Sequence, residues 1–430
     1  MSAAPSHAAS PLRTAVIGAG WAGLAAAVRA RQAGDAVTLL EAARTPGGRA
    51  RRVEADDGTV LDNGQHILIG AYRATLALMR DVGVSPESAL LRMPLALRFA
   101  DGGGLAVPRG LKPPLDLLAG IWGAHGWSLR DRYTLMRGAI QWRLRRFACA
   151  PNLSVAALCV GLTPRVMAEL IEPLCVSALN VPPQRASAAI FLRVLRDALF
   201  GEPGGADLLL PRVDLGALLP DAAMDWLGRH GARVALGHRV QSLARTAGAW
   251  QVDGEPFDRV LLATPAWESA RLVQGAALPE AADWLARAQA LDHEAIATVY
   301  VSGAGPLPAG LPLCALRSNA QRAPAQFVFD RSQLGGPPGL AAFVVSASTL
   351  PRDELLARVL AQAKVQLGWT GLRVLQTIVE KRATFACTPG VQRPPMQIAP
   401  GLRACGDYVD GPYPATLEGA VLSGEAAARP

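Results

Sequence analysis

The segment that most constrains the fold is TAVIGAGWAGLAAAVRARQAGDAVTLLE, residues 14–41. A short apolar run ends at three glycines with G-x-G-x-x-G spacing, Gly18, Gly20 and Gly23, and an alanine-rich stretch follows them. The first glycine permits a tight turn, the second lets a pyrophosphate approach the backbone, and the third lets the next helix pack closely on the strand. The pattern therefore predicts a strand, a helix and a second parallel strand that together bind a dinucleotide.

The residues after this unit indicate which dinucleotide is bound. Glu41 closes the second predicted strand about 20 residues past the glycines, where a carboxylate accepts hydrogen bonds from a ribose. A basic residue in its place would favour a ribose phosphate, so NADP is disfavoured. Gly47, Gly48 and Arg49 follow. A second glycine loop can approach the same pyrophosphate, and an arginine can neutralise it.

This second glycine loop resembles that of the FAD-dependent amine oxidase and phytoene desaturase superfamily. Three further segments resemble the same superfamily in the expected order: 213–243, 257–267 and 401–428. The resemblance implies that FAD is the cofactor and that the backbone of Val240 meets the adenine. It also implies that Asp407 lies by the ribityl chain or the pyrophosphate. A helix beginning near Ala415 would direct its free N–H groups at the flavin.

The resemblance predicts an α/β fold, with a Rossmann-like FAD-binding domain of the amine oxidase/phytoene desaturase type and an interleaved α+β substrate domain. We expect FAD-binding parts at 12–70, 208–265 and 376–430, a helical region that contacts substrate or membrane at 71–207, and a substrate domain at 266–375. The implied cofactor-binding residues are Gly18, Gly20, Trp21, Ala22, Gly23, Glu41, Ala42, Gly47, Gly48, Arg49, Gly64, Gln65, His66, Val240, Gly406, Asp407, Ala415, Thr416 and Leu417.

The segment LDNGQHILIGAYRATLALMRDVG, residues 61–83, narrows the family further. Together with YPATLEGAVLSG near the other end, it resembles the hydroxysqualene dehydroxylases, the squalene-associated FAD-dependent enzymes of hopanoid biosynthesis. That resemblance implies loss of an allylic hydroxyl from hydroxysqualene and delivery of a hydride from reduced FAD. It makes His66, Gln65 and Asp62 the catalytic candidates.

Their individual roles remain open. His66 could donate a proton, because an imidazole titrates near neutral pH, or it could only hydrogen-bond the backbone or the flavin. Tyr408 and Tyr413 could line the flavin face.

Three other functions also remain open at this point. A desaturase of squalene or a carotenoid precursor would share every FAD motif. An amine oxidase-like flavoenzyme and a lipid-binding flavoprotein without turnover are the other two. The sequence leaves the electron donor, the stereochemistry and the oligomeric state undetermined.

Composition restricts the partners. The net charge is +8, but only three of the 43 basic residues are lysine, and no nucleic-acid motif is present. The six cysteines form no C-x-x-C pair, so we predict free thiols and no metal site. No signal peptide is recognisable, and no apolar run reaches the ~18 residues of a membrane span. These features predict a cytoplasmic protein.

One segment suggests contact with a membrane. Residues 128–147 carry an apolar stripe at helical spacing, with arginines on most other faces, and Trp122 and Trp127 precede it. A cationic amphipathic helix of this kind suits an anionic membrane surface, here the inner face of the cytoplasmic membrane. The alternative is a helix that packs its stripe on the core.

Overall fold

The computed structural model describes residues 11–108, 110–111, 114–246 and 248–429. Its strands are β1 (Arg13–Ile17), β2 (Ala36–Glu41), β3 (Arg52–Glu54), β4 (Val60–Asp62), β5 (Leu68–Ile69), β6 (Leu90–Met93), β7 (Ala96–Arg98), β8 (Gly104–Ala106), β9 (Leu208–Pro211), β10 (Arg233–Leu236), β11 (Leu243–Thr246), β12 (Ala249–Val252), β13 (Glu255–Phe257), β14 (Arg259–Leu262), β15 (His293–Ser302), β16 (Leu313–Ala315), β17 (Phe327–Asp330), β18 (Ala341–Ser346), β19 (Arg373–Phe385), β20 (Gln397–Ala399) and β21 (Leu402–Ala404).

The α-helices are α1 (Trp21–Gln32), α2 (Arg73–Asp81), α3 (Pro86–Ala89), α4 (Leu115–Trp122), α5 (Leu129–Leu144), α6 (Val155–Leu158), α7 (Pro164–Val166), α8 (Glu172–Leu179), α9 (Ala188–Leu199), α10 (Leu215–Leu218), α11 (Pro220–Arg229), α12 (Ala266–Gly275), α13 (Ala282–Gln289), α14 (Arg352–Leu367) and α15 (Leu417–Ala428). A π-helical segment, Met167–Ile171, precedes α8, and short 3₁₀ segments lie at Pro279–Ala281, Pro308–Gly310 and Arg331–Leu334.

The glycine-spaced unit lies at the centre of a six-stranded sheet with the order β10-β2-β1-β14-β21-β20. The first five strands run parallel and β20 is antiparallel to β21. All four residues of β14 are buried, as are four of the five in β1, which is the pattern of a parallel sheet covered on both faces. The predicted strand-helix-strand unit is confirmed, and so is the Rossmann-like fold class.

Helices α1 and α15 lie side by side against this sheet. A Cβ atom added to Gly424 would be only 2.1 Å from the carbonyl oxygen of Ala22, so only glycine permits this close approach. The next residue of α15, Glu425, pairs with the end of α1, where Arg29 Nη2 lies 2.7 Å from Glu425 Oε1. The end of the chain therefore packs directly on the beginning of the nucleotide-binding unit.

A second sheet is antiparallel, with the order β16-β17-β18-β15-β19. It is formed by a part of the chain that lies between β14 and β20, so the two sheets interleave as predicted. The boundary that we predict at residue 375 is wrong in one respect, because it cuts through β19. That strand pairs with β15 from Arg373 to Phe385 and belongs to the antiparallel sheet as a unit.

The apolar pattern of 233–243 predicts strands, but β10 ends at Leu236. The chain after it is held in a loop, because His238 N donates to Glu41 O and Gly237 N to Ala43 O. Helix α15 begins at Leu417 with Thr416 as its N-cap, next to the predicted start near Ala415 and Thr416. Helix α5 ends at Leu144, because the next residues turn into the left-handed region, with φ of 51° at Arg146 and 57° at Phe147.

Within the described residues, no helix is both long enough and apolar enough to cross a membrane.

Candidate FAD and substrate site

One cavity of about 840 Å³ extends between the two sheets. All of the predicted cofactor-binding residues except Gly23 line it, and so do Tyr408 and Tyr413. The remaining lining is largely apolar and comes from helices α8 and α9 and from the antiparallel sheet. The structure therefore places the nucleotide-binding motifs and an apolar chamber in one continuous space.

The two glycine loops meet at one end of this cavity. Gly47 N donates to Ala19 O over 2.8 Å. A Cβ atom on Gly23 would lie 1.8 Å from the carbonyl oxygen of Gly18, so Gly23 has a packing role beneath the loop. A Cβ atom on Gly20 would meet nothing closer than Gly48 Cα at 4.0 Å. The space beside Gly20 is therefore open, whereas a Cβ atom on Gly48 would lie only 3.2 Å from Gly20 Cα. A bound pyrophosphate requires open space next to such a glycine.

Glu41 stands at the carboxyl end of β2. Its Oε2 accepts from Ala19 N at 2.6 Å and its Oε1 accepts from Ala43 N at 2.8 Å. These bonds fix the carboxylate at the edge of the cavity, and each oxygen keeps a further lone pair. The group is thus oriented to accept hydrogen bonds from the ribose hydroxyls of a dinucleotide.

The C-terminal motif completes the site from the opposite side. Arg49 Nη2 lies 2.5 Å from Asp407 Oδ1, which joins the second glycine loop to the loop after β21. Ala415 N donates to Asp407 O, and Thr416 Oγ1 caps α15 by accepting from Gly419 N at 3.0 Å. The first turn of α15 faces the cavity at Thr416 and Leu417, where its free N–H groups suit a partly anionic group.

Val240 and the two tyrosines occupy the cavity wall. Val240 is buried in the loop after β10, and its carbonyl oxygen accepts from Arg271 Nη2 at 2.7 Å. The Tyr408 hydroxyl donates to Ser269 Oγ at 3.0 Å, so this ring is held as a fixed wall. The Tyr413 ring lies beneath the Arg193 guanidinium, 5.8 Å from its carbon.

Gln65 and His66 lie where the nucleotide end meets the apolar chamber. The Oε1 atom of Gln65 is buried and has no hydrogen-bond partner among the described residues. His66 Nδ1 lies 3.0 Å from Gly64 O, and because a carbonyl only accepts, Nδ1 carries the proton. Burial lowers the pKa of His66, and the nearby Arg49 lowers it further. The neutral ring therefore presents an acceptor at Nε2, and a proton-donor role for His66 stays a prediction.

Asp62 is the catalytic candidate that the structure does not bring into the cavity. Its side chain is 2% exposed, accepts from Leu215 N at 2.7 Å and lies 3.6 Å from Arg331 Nη2. Burial raises its pKa to about 6. The placement corrects our expectation: Asp62 ends β4 with its side chain directed at the start of α10, so it supports the loop that carries Gln65 and His66.

The residues that form the apolar chamber have no sequence motif. Examples are Leu174, Phe191, Leu195, Phe327, Phe329 and Val344. Thr298 also lines the chamber, although its neighbours on β15, from Ala295 to Ala297 and at Val299, are apolar. A single threonine among valines and alanines is the only signal that could have identified it, and that signal is weak.

The described residues fit FAD. The open space beside Gly20, the carboxylate of Glu41 and the start of α15 are arranged along one cavity.

The sequence profile described as flavin-containing amine oxidoreductase matches residues 21–430, and the chain belongs to this family. The protein is accordingly an FAD-dependent oxidoreductase, as the motifs predict.

Within the family, the chain is similar to a hydroxysqualene dehydroxylase of Rhodopseudomonas palustris, with 30% identity over 96% of each chain. A hydroxysqualene dehydroxylase of Sinorhizobium fredii is 28% identical over 97% of this chain and 98% of that one. An oxidoreductase from Methanosarcina mazei has a similar fold, with a TM-score of 0.72 at 17% identity over 96% of this chain and 99% of that one. The resemblance to the hydroxysqualene dehydroxylases is confirmed.

Proposed function

We propose that this protein converts hydroxysqualene to squalene by reductive dehydroxylation. The observation that carries the proposal is the full-length similarity to hydroxysqualene dehydroxylases, combined with one cavity that joins the FAD motifs to an apolar chamber. When bound, reduced FAD supplies the hydride equivalent that replaces the lost hydroxyl. The substrate is a C30 isoprenoid, which an apolar chamber suits.

The residues of the chain would bind the nucleotide and exclude water from the chamber. Gly20, Gly48 and Glu41 would hold the nucleotide, and the start of α15 would favour negative charge on the flavin. Phe191 and Phe329 belong to a wall that excludes water, which would otherwise capture a carbocation formed when the hydroxyl leaves. The hydroxyl takes up a proton as it leaves as water, and the assignment of His66 as the donor of that proton stays a prediction.

The reaction is tested with the purified holoenzyme reduced under anaerobic conditions. Addition of hydroxysqualene should yield squalene and reoxidise the flavin in a one-to-one ratio. The matched reaction contains oxidised enzyme and squalene, and we expect no change there. The proposal fails if oxidised enzyme dehydrogenates squalene while reduced enzyme leaves hydroxysqualene intact, because that pattern belongs to a desaturase. No reaction in either direction would favour a lipid-binding flavoprotein.

We also propose that the protein binds peripherally to an anionic membrane, at the cytoplasmic face. Support comes from α5, whose stripe of Leu129, Tyr133, Ile140 and Leu144 is 56–78% exposed. A different face of the helix, with Leu135 and Trp142, packs on the core. A stripe of large apolar side chains left in water is the mark of an interaction surface.

Helix α4 extends this surface, but the expectation that Trp127 also belongs to it is wrong. Trp122 is 62% exposed, and Leu115 and Leu118 are exposed on the same helix. Trp127, in contrast, is 4% exposed and donates from Nε1 to Glu169 at 2.8 Å, so it is a core residue and not an interfacial one. Trp127 differs from Trp122 because the buried carboxyl group of Glu169 accepts a hydrogen bond from its ring.

A second cavity, of about 380 Å³, supports the same orientation. It shares Leu95, Ala198 and Ala206 with the main cavity and is also lined by Leu111 and Asp116 at the start of α4. An apolar substrate dissolved in the bilayer would thus find the chamber behind the surface that we propose to face the membrane.

Sedimentation with anionic vesicles tests the membrane proposal. Replacing Leu129, Tyr133, Ile140 and Leu144 with serine should abolish co-sedimentation while FAD content is retained. The matched control is Val365→Ser, which removes an equally exposed side chain from α14. High salt should weaken binding of the wild type, since exposed arginines such as Arg137 and Arg143 flank the stripe. Equal sedimentation of the stripe variant and the wild type would contradict the proposal.

A further inference from the structure

Thr298 carries a buried hydroxyl that the protein does not satisfy. The residue is 1% exposed, and its Oγ1 has no hydrogen-bond partner. The described residues contain only two other buried side-chain polar atoms in this state, Gln65 Oε1 and Arg132 Nε. Burying a polar group without a hydrogen-bond partner is unfavourable, and most buried polar groups in native proteins have a partner. Two of the three atoms belong to residues that line the same cavity, Thr298 and Gln65.

The surroundings of Thr298 do not explain the hydroxyl. Thr298 lies opposite Val344 of β18 and Ile378 of β19, and both side chains also line the chamber. Valine has the same shape as threonine and would pack among these residues without burying a polar atom. The hydroxyl therefore points to a polar group that enters the chamber from outside the protein.

The position of Thr298 relates it to the loop that bears the catalytic candidates. Gly64 has a φ of +94°, and a Cβ atom added to it would lie 3.7 Å from Thr298 Oγ1 and 3.9 Å from His66 Cε1. The Thr298 hydroxyl thus faces the backbone of Gly64 beside the His66 ring. This is the boundary between the nucleotide end of the cavity and its apolar chamber.

We propose that Thr298 and Gln65 form the subsite that binds the hydroxyl of the substrate, an inference that rests on the proposed function. An alcohol offers one O–H donor and an oxygen acceptor. Gln65 Oε1 accepts the O–H, and the Thr298 hydroxyl donates to the oxygen. Gln65 Oε1 and Thr298 Oγ1 then both have hydrogen-bond partners, and the hydroxyl of the substrate lies beside Gly64. A ligand without a hydroxyl leaves both atoms unpaired.

This arrangement makes Thr298 a specificity-determining residue. A site built to hydrogen-bond a ligand hydroxyl rejects the analogue that lacks it, because its buried polar groups are then left without partners. The protein should therefore discriminate hydroxysqualene from squalene at the level of binding, and the product should leave more readily than the substrate.

Binding to the oxidised holoenzyme tests the subsite without turnover. Hydroxysqualene and squalene are titrated separately, and the change in flavin absorbance gives the two dissociation constants. We expect wild type to prefer hydroxysqualene, Thr298→Ser to keep the preference, and Thr298→Val to weaken hydroxysqualene binding about five- to tenfold, the loss of one hydrogen bond. Squalene binding by Thr298→Val should be unchanged or slightly tighter.

The matched control is Thr377→Val. Thr377 is a buried threonine on the neighbouring strand β19, next to Ile378 and therefore on the opposite face of the sheet. It should bind both ligands like wild type. FAD affinity and the flavin spectrum should be the same in all variants.

Two results with the Thr298→Val variant would overturn the subsite. One is a preference for hydroxysqualene that survives Thr298→Val. The other is a Thr298→Val variant that loses FAD affinity, which would mean that the hydroxyl contacts the cofactor. A wild type that binds both ligands equally also contradicts it. If the preference depends on Thr298 but the reduced enzyme forms no squalene, the proposed reaction fails and recognition of the hydroxyl stands.

Discussion

The two ends of the cavity are built in different ways. The nucleotide end is shaped by backbone: glycines at 18, 20, 23, 47 and 48 bring main-chain atoms together, and one carboxylate, Glu41, faces the space between them. The chamber end is shaped by side chains from helices α8 and α9 and from the antiparallel sheet. A backbone site tolerates almost no added atom, whereas a side-chain wall can be altered one residue at a time.

The most severe change to the backbone end is Gly23→Ala. Its Cβ atom would lie 1.8 Å from Gly18 O, a main-chain atom that cannot move without displacing the loop. We expect a loss of ~3 kcal/mol or more of folding free energy and a protein without FAD. Thermal unfolding and the FAD content per chain are the measurements. Gly228→Ala, on the exposed side of α11 with no atom within 4 Å of the new carbon, is the control and should be slightly stabilising.

A second prediction concerns Asp62, which lies between the two ends. Burial raises its pKa to about 6, so the folded protein binds a proton that the unfolded chain releases between about pH 4 and pH 6. The contribution of Asp62 to stability is therefore complete below pH 4 and is lost as the pH rises through 6. Asp62→Asn, which imitates the protonated acid, should gain up to about 3 kcal/mol over the wild type between pH 4 and pH 7.

Unfolding free energies of both proteins at the two pH values measure this difference. Asp56→Asn, on the exposed turn before β4, serves as the control and should follow the wild type. Parallel pH profiles for wild type and Asp62→Asn would show that Asp62 is ionised in the folded protein.

Gly20→Ala separates binding from folding. The added carbon meets no protein atom closer than Gly48 Cα at 4.0 Å, which is an ordinary contact, so the fold should be retained. The same carbon would occupy the space that we assign to the pyrophosphate, and FAD affinity should fall by roughly tenfold or more, the cost of overpacking. Equilibrium dialysis of FAD against the folded apoprotein measures this affinity. Unchanged affinity would place the pyrophosphate elsewhere.

The smallest effect is expected at the contact between β15 and β4. Tyr300, 1% exposed, donates from its hydroxyl to Asp62 O at 3.0 Å. Tyr300→Phe removes one neutral hydrogen bond and should cost about 1 kcal/mol of folding free energy with FAD content unchanged. Tyr133→Phe, on an exposed side chain, should cost nothing measurable. A loss of FAD from Tyr300→Phe would show that the two ends are coupled more tightly than the contacts indicate.

The sequence predicted the nucleotide end residue by residue because its determinants are local. Gly18, Gly20 and Glu41 act through spacing within one strand-helix-strand unit, and such spacing is readable without a structure. Thr298 and Phe191 act through strand pairing and helix packing across long separations, for which the sequence carries no pattern. Asp62 has the chemistry of a catalytic residue, yet only the structure shows that its side chain is directed away from the cavity.

The apolar stripe on α5 illustrates a different limit. Its periodicity predicts a helix with an apolar face, and α5 is such a helix. Periodicity does not say whether that face meets protein or another phase, because both environments select the same side chains. Trp122 and Trp127 show the same ambiguity, since one is exposed and the other is in the core.

The close packing of α15 on α1 has a consequence for synthesis on the ribosome. Residues 13–41 emerge early, but β21 and α15, which complete the same sheet and layer, emerge only after almost all of the chain. Contacts such as that between Arg29 and Glu425 span 396 positions. Contacts this distant along the chain slow folding. We therefore expect the nucleotide site of the nascent protein to stay incomplete until α15 has been synthesised. FAD, and with it the yellow colour, should bind only after that point.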